Sequence, residues 1–156
     1  MTIFFQRIML ALVAAGTLSF APAALAADGK GSAEEASALV KKAVAFLKKN
    51  GKDKSLAEFS DGKGQFIDRD MYIFVIDLKG KMLAHGTLPK IIGKDVLEMK
   101  DPDGKFLFKD MLEVANTKGS GWVNYKWPNP ISKNIEAKAT YVEKVDDMIL
   151  GAGIYK

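Results

Sequence analysis

Gly121-Trp122-Val123-Asn124-Tyr125-Lys126-Trp127 alternates along its length, with Val123, Tyr125 and Trp127 on one face and Trp122, Asn124 and Lys126 on the other. That period of two marks a strand with one covered face, and the first set is the one expected to be buried. Two more strand-like runs follow at short spacing, residues 136–145 and 148–155, with Asp146-Asp147 as the tight connection between them. Upstream, residues 71–78 form a β-branched and aromatic run, Lys79-Gly80 is a turn, and residues 81–85 continue as a second strand of a hairpin. Tyr72, Phe74 and Ile76 share one face of the first of these strands and Ile73 and Val75 the other, so both faces of the sheet are expected to be covered.

What covers them is readable on either side. Ser32 and Glu35 form a capping-box pattern, and the segment through Lys49 carries Ala36, Leu39, Val40, Ala43, Phe46 and Leu47 at helical spacing before Asn50-Gly51 stops it. A second short helix is expected over residues 54–59. Between the hairpin and the last three strands, residues 88–115 carry Pro89, Gly93, the turn Asp101-Pro102-Asp103-Gly104 and two helix-like pieces, 95–99 and 106–116. The expected order is long helix, two strands, a helix and loop excursion, then three strands. This is an α+β plan with a five-stranded antiparallel sheet, the N-terminal helix on one face and the excursion on the other.

Composition is that of one globular domain: 156 residues, 48% hydrophobic, 27% charged and no cysteine. A chain of this size needs no disulfide or metal to be stable, and lack of cysteine excludes thiolate catalysis and Cys-ligated metals. Residues 1–26 read as a secretory signal peptide, with Arg7, an apolar stretch from Ile8 to about Phe20, and Ala24-Leu25-Ala26 before a cleavage after Ala26; the alternative is an uncleaved anchor. Residues 27–156 would then be the mature domain, periplasmic or secreted. Cleavage lowers the formal charge from +4 by the single Arg7. The mild, mixed charge without basic blocks argues against a nucleic-acid partner.

Motifs for catalysis are missing from the sequence. It has no Gly-x-Ser-x-Gly elbow, no His-Glu-x-x-His, no phosphate-binding loop and a single histidine, so the chain is read as not an enzyme and as carrying no cofactor. Residues 101–104 look superficially like a calcium loop, but Lys105 and Leu112 stand where an EF-hand needs oxygen ligands, so a turn closed by Asx-type hydrogen bonds is expected instead.

Several segments together resemble the single Cache domain, the PAS-like extracellular sensor module of bacterial chemoreceptors and histidine kinases. They are residues 70–75, 82–85, 93–95 and 100–105, then Gly121 through Trp127-Pro128-Asn129-Pro130, residues 138–142, and Gly151-Ala152-Gly153-Ile154-Tyr155. The resemblance covers roughly residues 32–156 and implies a PAS-like sheet with a small-ligand site. In relatives a proline often follows the second-strand histidine, whereas here Gly86 does, which would loosen that end of the pocket. Receptors of the family also carry a transmembrane helix and an output module after the domain, so a stand-alone sensing half is expected.

A pocket between sheet and excursion would be apolar with a few polar tips. His85 at a strand end is either a donor to a carboxylate or an ordinary satisfied histidine; its position matches a histidine of the relatives. Lys138, among Ala137, Ala139 and Thr140, would need an anionic partner on a covered face and is a plain surface lysine on a solvated one. Tyr72, Tyr125, Trp127 and Tyr141 each place a polar donor beside ring surface, or serve only as core. The expected ligand-binding set is Tyr72, Phe74, His85, Tyr125, Trp127, Lys138 and Tyr141. The expected ligand is a small organic acid of the acetate, propionate or pyruvate class, with a membrane receptor or kinase to pass the signal. The alternative is a protein-interaction module that docks on a membrane receptor and binds no small molecule.

Overall fold

The computed structural model describes residues 29–156, so the expected signal peptide and its cleavage point lie outside the described residues. Helix α1 (Ala33–Asn50) starts at Ser32, whose hydroxyl accepts from the Glu35 N–H while the Glu35 carboxylate accepts from the Ser32 N–H. Helix α2 (Lys52–Phe59) follows after Gly51 alone, two residues earlier than the sequence suggests, because Gly51 both ends the first helix and begins the second. Then come β1 (Ile67–Asp68), β2 (Met71–Tyr72), β3 (Phe74–Asp77), β4 (Met82–His85), a 3-10 turn (Pro89–Ile91), α3 (Leu107–Lys118), β5 (Ser120–Pro128), β6 (Ile135–Val145) and β7 (Met148–Tyr155).

Strands β3 to β7 form one five-stranded sheet in the order β4-β3-β7-β6-β5, with every neighbouring pair antiparallel. The last strand is therefore central, and it is apolar on both sides because both sides are covered. Leu150 and Ala152 face α1 with Ile73 and Val75, while Ile149 joins Phe74 and Ile76 against α3. Each such fully buried aliphatic side chain contributes about 1.5–3 kcal/mol, so the sheet is held from two independent cores. The alternation read from the sequence places residues on the observed faces: Val123 and Tyr125 are buried against the excursion, Trp127 is half-buried there, and Trp122, Asn124 and Lys126 are exposed.

Two expectations are corrected. The run 71–78 is not one strand: β2 pairs with β1 in a separate two-stranded sheet, and the chain leaves that pairing at Ile73, whose carbonyl accepts from the Gly86 N–H. Residues 95–99 form no helix. The Asp95 carboxylate accepts from the Leu97 N–H, Val96 donates to Gly80, and Asp95 bridges Lys81, so backbone groups a helix would need are committed to the hairpin. The other excursion helix is present at Leu107–Lys118.

Two side-chain clamps fix the covers to the sheet. Arg69 donates to the Lys30 carbonyl at 2.9 Å and pairs with Glu35 at 2.7 Å, while Asp70 accepts from the Gly31 N–H at 2.8 Å, tying the start of α1 to the β1–β2 turn. On the other side the Asp101 carboxylate accepts from the N–H groups of Asp103, Lys105 and Lys126, which closes the expected Asx turn and pins it to β5. Asp101→Ala would leave those three donors without their acceptor. It is expected to lower stability by about 2 kcal/mol in urea denaturation, with Asp101→Asn recovering part of the loss; an unchanged midpoint in the alanine variant would remove the role given to this pin.

Candidate ligand-binding site

Register places the key residues side by side. On the excursion face, Lys138 of β6 stands opposite Tyr125 of β5 and Tyr155 of β7, and Tyr72 reaches the same place from β2. Lys138 is only 1% exposed. Its Nζ donates to the Tyr72 hydroxyl at 2.8 Å and the Tyr155 hydroxyl at 3.2 Å, and it lies 4.0 Å and 4.6 Å from the two ring centroids. Gly153 makes this possible, since a Cβ there would collide with the Lys138 stem and with Thr140. Gly151 does the same for the Phe74 ring across the neighbouring ladder.

Among the described residues no carboxylate forms a salt bridge with Lys138. Burial holds its ammonium well below the usual lysine range, and the opposing anion, Asp70, acts through space. Asp70 is itself 1% exposed, with Oδ2 buried and unpartnered. Burial raises the phenols of Tyr72, Tyr125 and Tyr155, so all three stay protonated and can donate. Tyr155 spends its proton on the Pro128 carbonyl at 2.8 Å, and Tyr125 shares one with Thr140 at 2.8 Å.

His85 closes the β4 end of the cluster. Its Nδ1 accepts from the backbone N–H groups of Leu88 at 3.0 Å and Thr87 at 3.3 Å, which leaves the proton on Nε2 and makes the imidazole a donor to whatever lies on that side. The ring lies 4.8 Å from Tyr72 and stacks on Phe74 at 6.1 Å. Phe74, Phe108, Trp127 and Tyr125 then contact one another edge to face, giving an apolar wall beside the polar groups.

Six of the seven residues singled out in the sequence therefore gather in one place. Tyr141 does not. It lies on the α1 face of β6, paired with Trp122 at 5.6 Å, because it is an odd number of residues from Lys138. Tyr155, Thr140 and Asp70 were missed as site residues. Tyr155 was legible by parity, being opposite Lys138 on the adjacent strand, but that register is set only once the sheet order is known. Two surface cavities, of about 190 and 380 Å³, lie beside the cluster and share Leu88, Trp127 and Pro128 as wall.

Burial and the charge of Lys138 push the His85 imidazole down to about 3 from the usual 6.5. The unfolded chain then takes up a proton below pH 6.5 that the native protein refuses until about pH 3, so stability falls as pH falls through that window, by at most about 1.4 kcal/mol per pH unit. Chemical denaturation at pH 7, 6, 5 and 4 is expected to show His85→Gln losing less stability over this range than the parent protein; parallel profiles would mean that His85 is not held neutral.

The family model of single Cache domain 2 matches residues 15–156. The methyl-accepting chemotaxis protein McpP of Pseudomonas putida is 37% identical over 90 residues, 56% of this chain and 16% of that protein, so the chain spans about a sixth of this relative's length. A solved periplasmic sensor domain of a chemotaxis protein superposes with a TM-score of 0.62 at 28% identity, over 78% of this chain and 88% of the other. A Cache chemosensory domain solved to explain its carboxylic acid recognition gives 0.67 at 29% identity, over 78% and 91%. These likenesses agree with the five-stranded antiparallel PAS-like sheet, and the chain belongs to the single Cache domain 2 family.

Proposed function

We propose that the domain is a periplasmic sensor for a small organic acid of the acetate, propionate or pyruvate class, held at Lys138 and sensed without chemical change. The observation that carries this reading is a buried lysine on the covered face of a sheet with no carboxylate in salt-bridge contact among the described residues. Taking an ammonium out of water costs several kcal/mol unless an anion and further hydrogen bonds compensate. A bound carboxylate supplies that anion. One oxygen meets Lys138 Nζ and the Tyr72 hydroxyl, and His85 Nε2–H donates as a neutral group, while a short apolar tail lies against Phe74, Tyr125 and Trp127. The single cationic group selects a monocarboxylate, since a second carboxylate would be buried without a partner.

Carboxylic acid recognition by a structural neighbour at 29% identity supports the ligand class. The relationship to a chemotaxis receptor supports a sensory role, in which a membrane receptor or kinase reads the occupied state.

Replacing Lys138 by Met separates binding from folding. The methionine keeps the stem's volume and removes the buried charge, and urea denaturation of the ligand-free variant checks that it is folded before binding is read. The parent at about a hundred times the dissociation constant of its acid should gain roughly 2.7 kcal/mol, seen as a rise of several degrees in the melting midpoint. In a screen of acetate, propionate, pyruvate, succinate and amino acids, Lys138→Met should show no rise with any acid. A variant that keeps the parent's rise would exclude Lys138 as the anion's partner.

A further inference from the structure

Every polar group of the acid site is closed off from solvent, so a ligand enters only where the wall can part. The two surface cavities identify the place. Their shared wall is Leu88, Trp127 and Pro128, and the smaller cavity adds Thr87. These residues are directly attached to the buried donors: Thr87 and Leu88 give their N–H groups to His85 Nδ1, Pro128 accepts from Tyr155, and Trp127 packs on Tyr125.

The two sides of this wall are held differently. Beyond Pro128, the Asn129 side chain accepts from the Ile131 and Ser132 N–H groups and donates to Glu136, and its backbone N–H bonds the Asn134 carbonyl, so the β5–β6 turn is tied to itself. Opposite it, Thr87 and Leu88 are half-buried, and the hydrogen bonds their N–H groups make end on the single nitrogen of His85. The Leu88 carbonyl also accepts from the Ile91 N–H, so the backbone here is held and the half-buried Leu88 side chain is the part that can swing aside without breaking a hydrogen bond.

Charge marks the same opening. Lys133 is the one charged residue on the wall of the smaller cavity; it is exposed, and among the described residues it forms no salt bridge, its Nζ bonding only the Pro130 carbonyl of its own turn.

We propose that the acid enters and leaves between Leu88 and Trp127–Pro128, with Leu88 as the movable plug and Lys133 as the rim cation that draws the anion to it. The proposal rests on Lys138 and its neighbours being an acid site. Neither Leu88 nor Lys133 contacts the bound acid, so both act on rates. A rim charge changes association and its salt dependence, whereas a plug changes association and dissociation together.

Stopped-flow fluorescence with propionate tests it, in a Trp122→Phe background that leaves Trp127, at the wall, as the sole tryptophan of the two in the chain. Lys133→Glu is expected to slow association about 3- to 10-fold at low salt, with the difference shrinking at high salt and dissociation unchanged. Leu88→Ala is expected to speed both steps by a common factor and leave affinity near the parent's. No stopped-flow response in the parent with acetate, propionate or pyruvate, together with no rise in its melting midpoint with any of them, overturns the acid site and the passage with it. A parent response with association unchanged in both variants, or Leu88→Ala changing dissociation alone, overturns the passage and leaves the acid site standing.

Discussion

A lysine at one end of a covered sheet face, opposite the last residue of the central strand and with no carboxylate in salt-bridge contact, is the constraint around which the other parts are arranged. Its stem crosses Gly153, which has no side chain to obstruct it, and its Nζ ends between the Tyr72 and Tyr155 hydroxyls. Tyr155 passes this on to the Pro128 carbonyl, and His85, forced to donate from Nε2 by two backbone N–H groups on Nδ1, completes a set of donors. These donors face the lysine with no carboxylate in salt-bridge contact, the opposing anion, Asp70, acting only through space. A hydrophobic residue would satisfy the fold at lower cost, which is why a binding role explains Lys138 better than a structural one.

The sheet order turns this cluster into a junction. The central strand β7 brings Tyr155 to Lys138, β2 brings Tyr72, and the turn immediately before β2 carries Arg69 and Asp70, which hold the start of α1. Asp70 also acts on Lys138 through space.

Much of this was legible in the sequence, and the failures have identifiable causes. Period-two alternation assigned the faces of residues 72–76 and 122–127 because both sheet faces are buried against distinct covers. The capping box at Ser32 located α1 because it is a local hydrogen-bond pattern. Residues 95–99 failed because Asp95 uses its carboxylate on its own turn and its backbone on the hairpin, a tertiary commitment invisible to local propensity. Tyr141 was included in the site for its chemistry, although its parity against Lys138 already assigned it to the other face. Tyr155 and Asp70 were left out because their proximity to Lys138 depends on which strands neighbour β6 and on where the strand breaks at Ile73.

The central claim is that an anion completes Lys138. The most direct measurement is a crystal structure of the protein grown with propionate. A carboxylate oxygen is expected about 3 Å from Lys138 Nζ and within hydrogen-bond reach of the Tyr72 hydroxyl and His85 Nε2, with the two-carbon tail against Phe74 and Trp127. Propionate bound elsewhere, with Lys138 still enclosed by the two phenols alone, would contradict it.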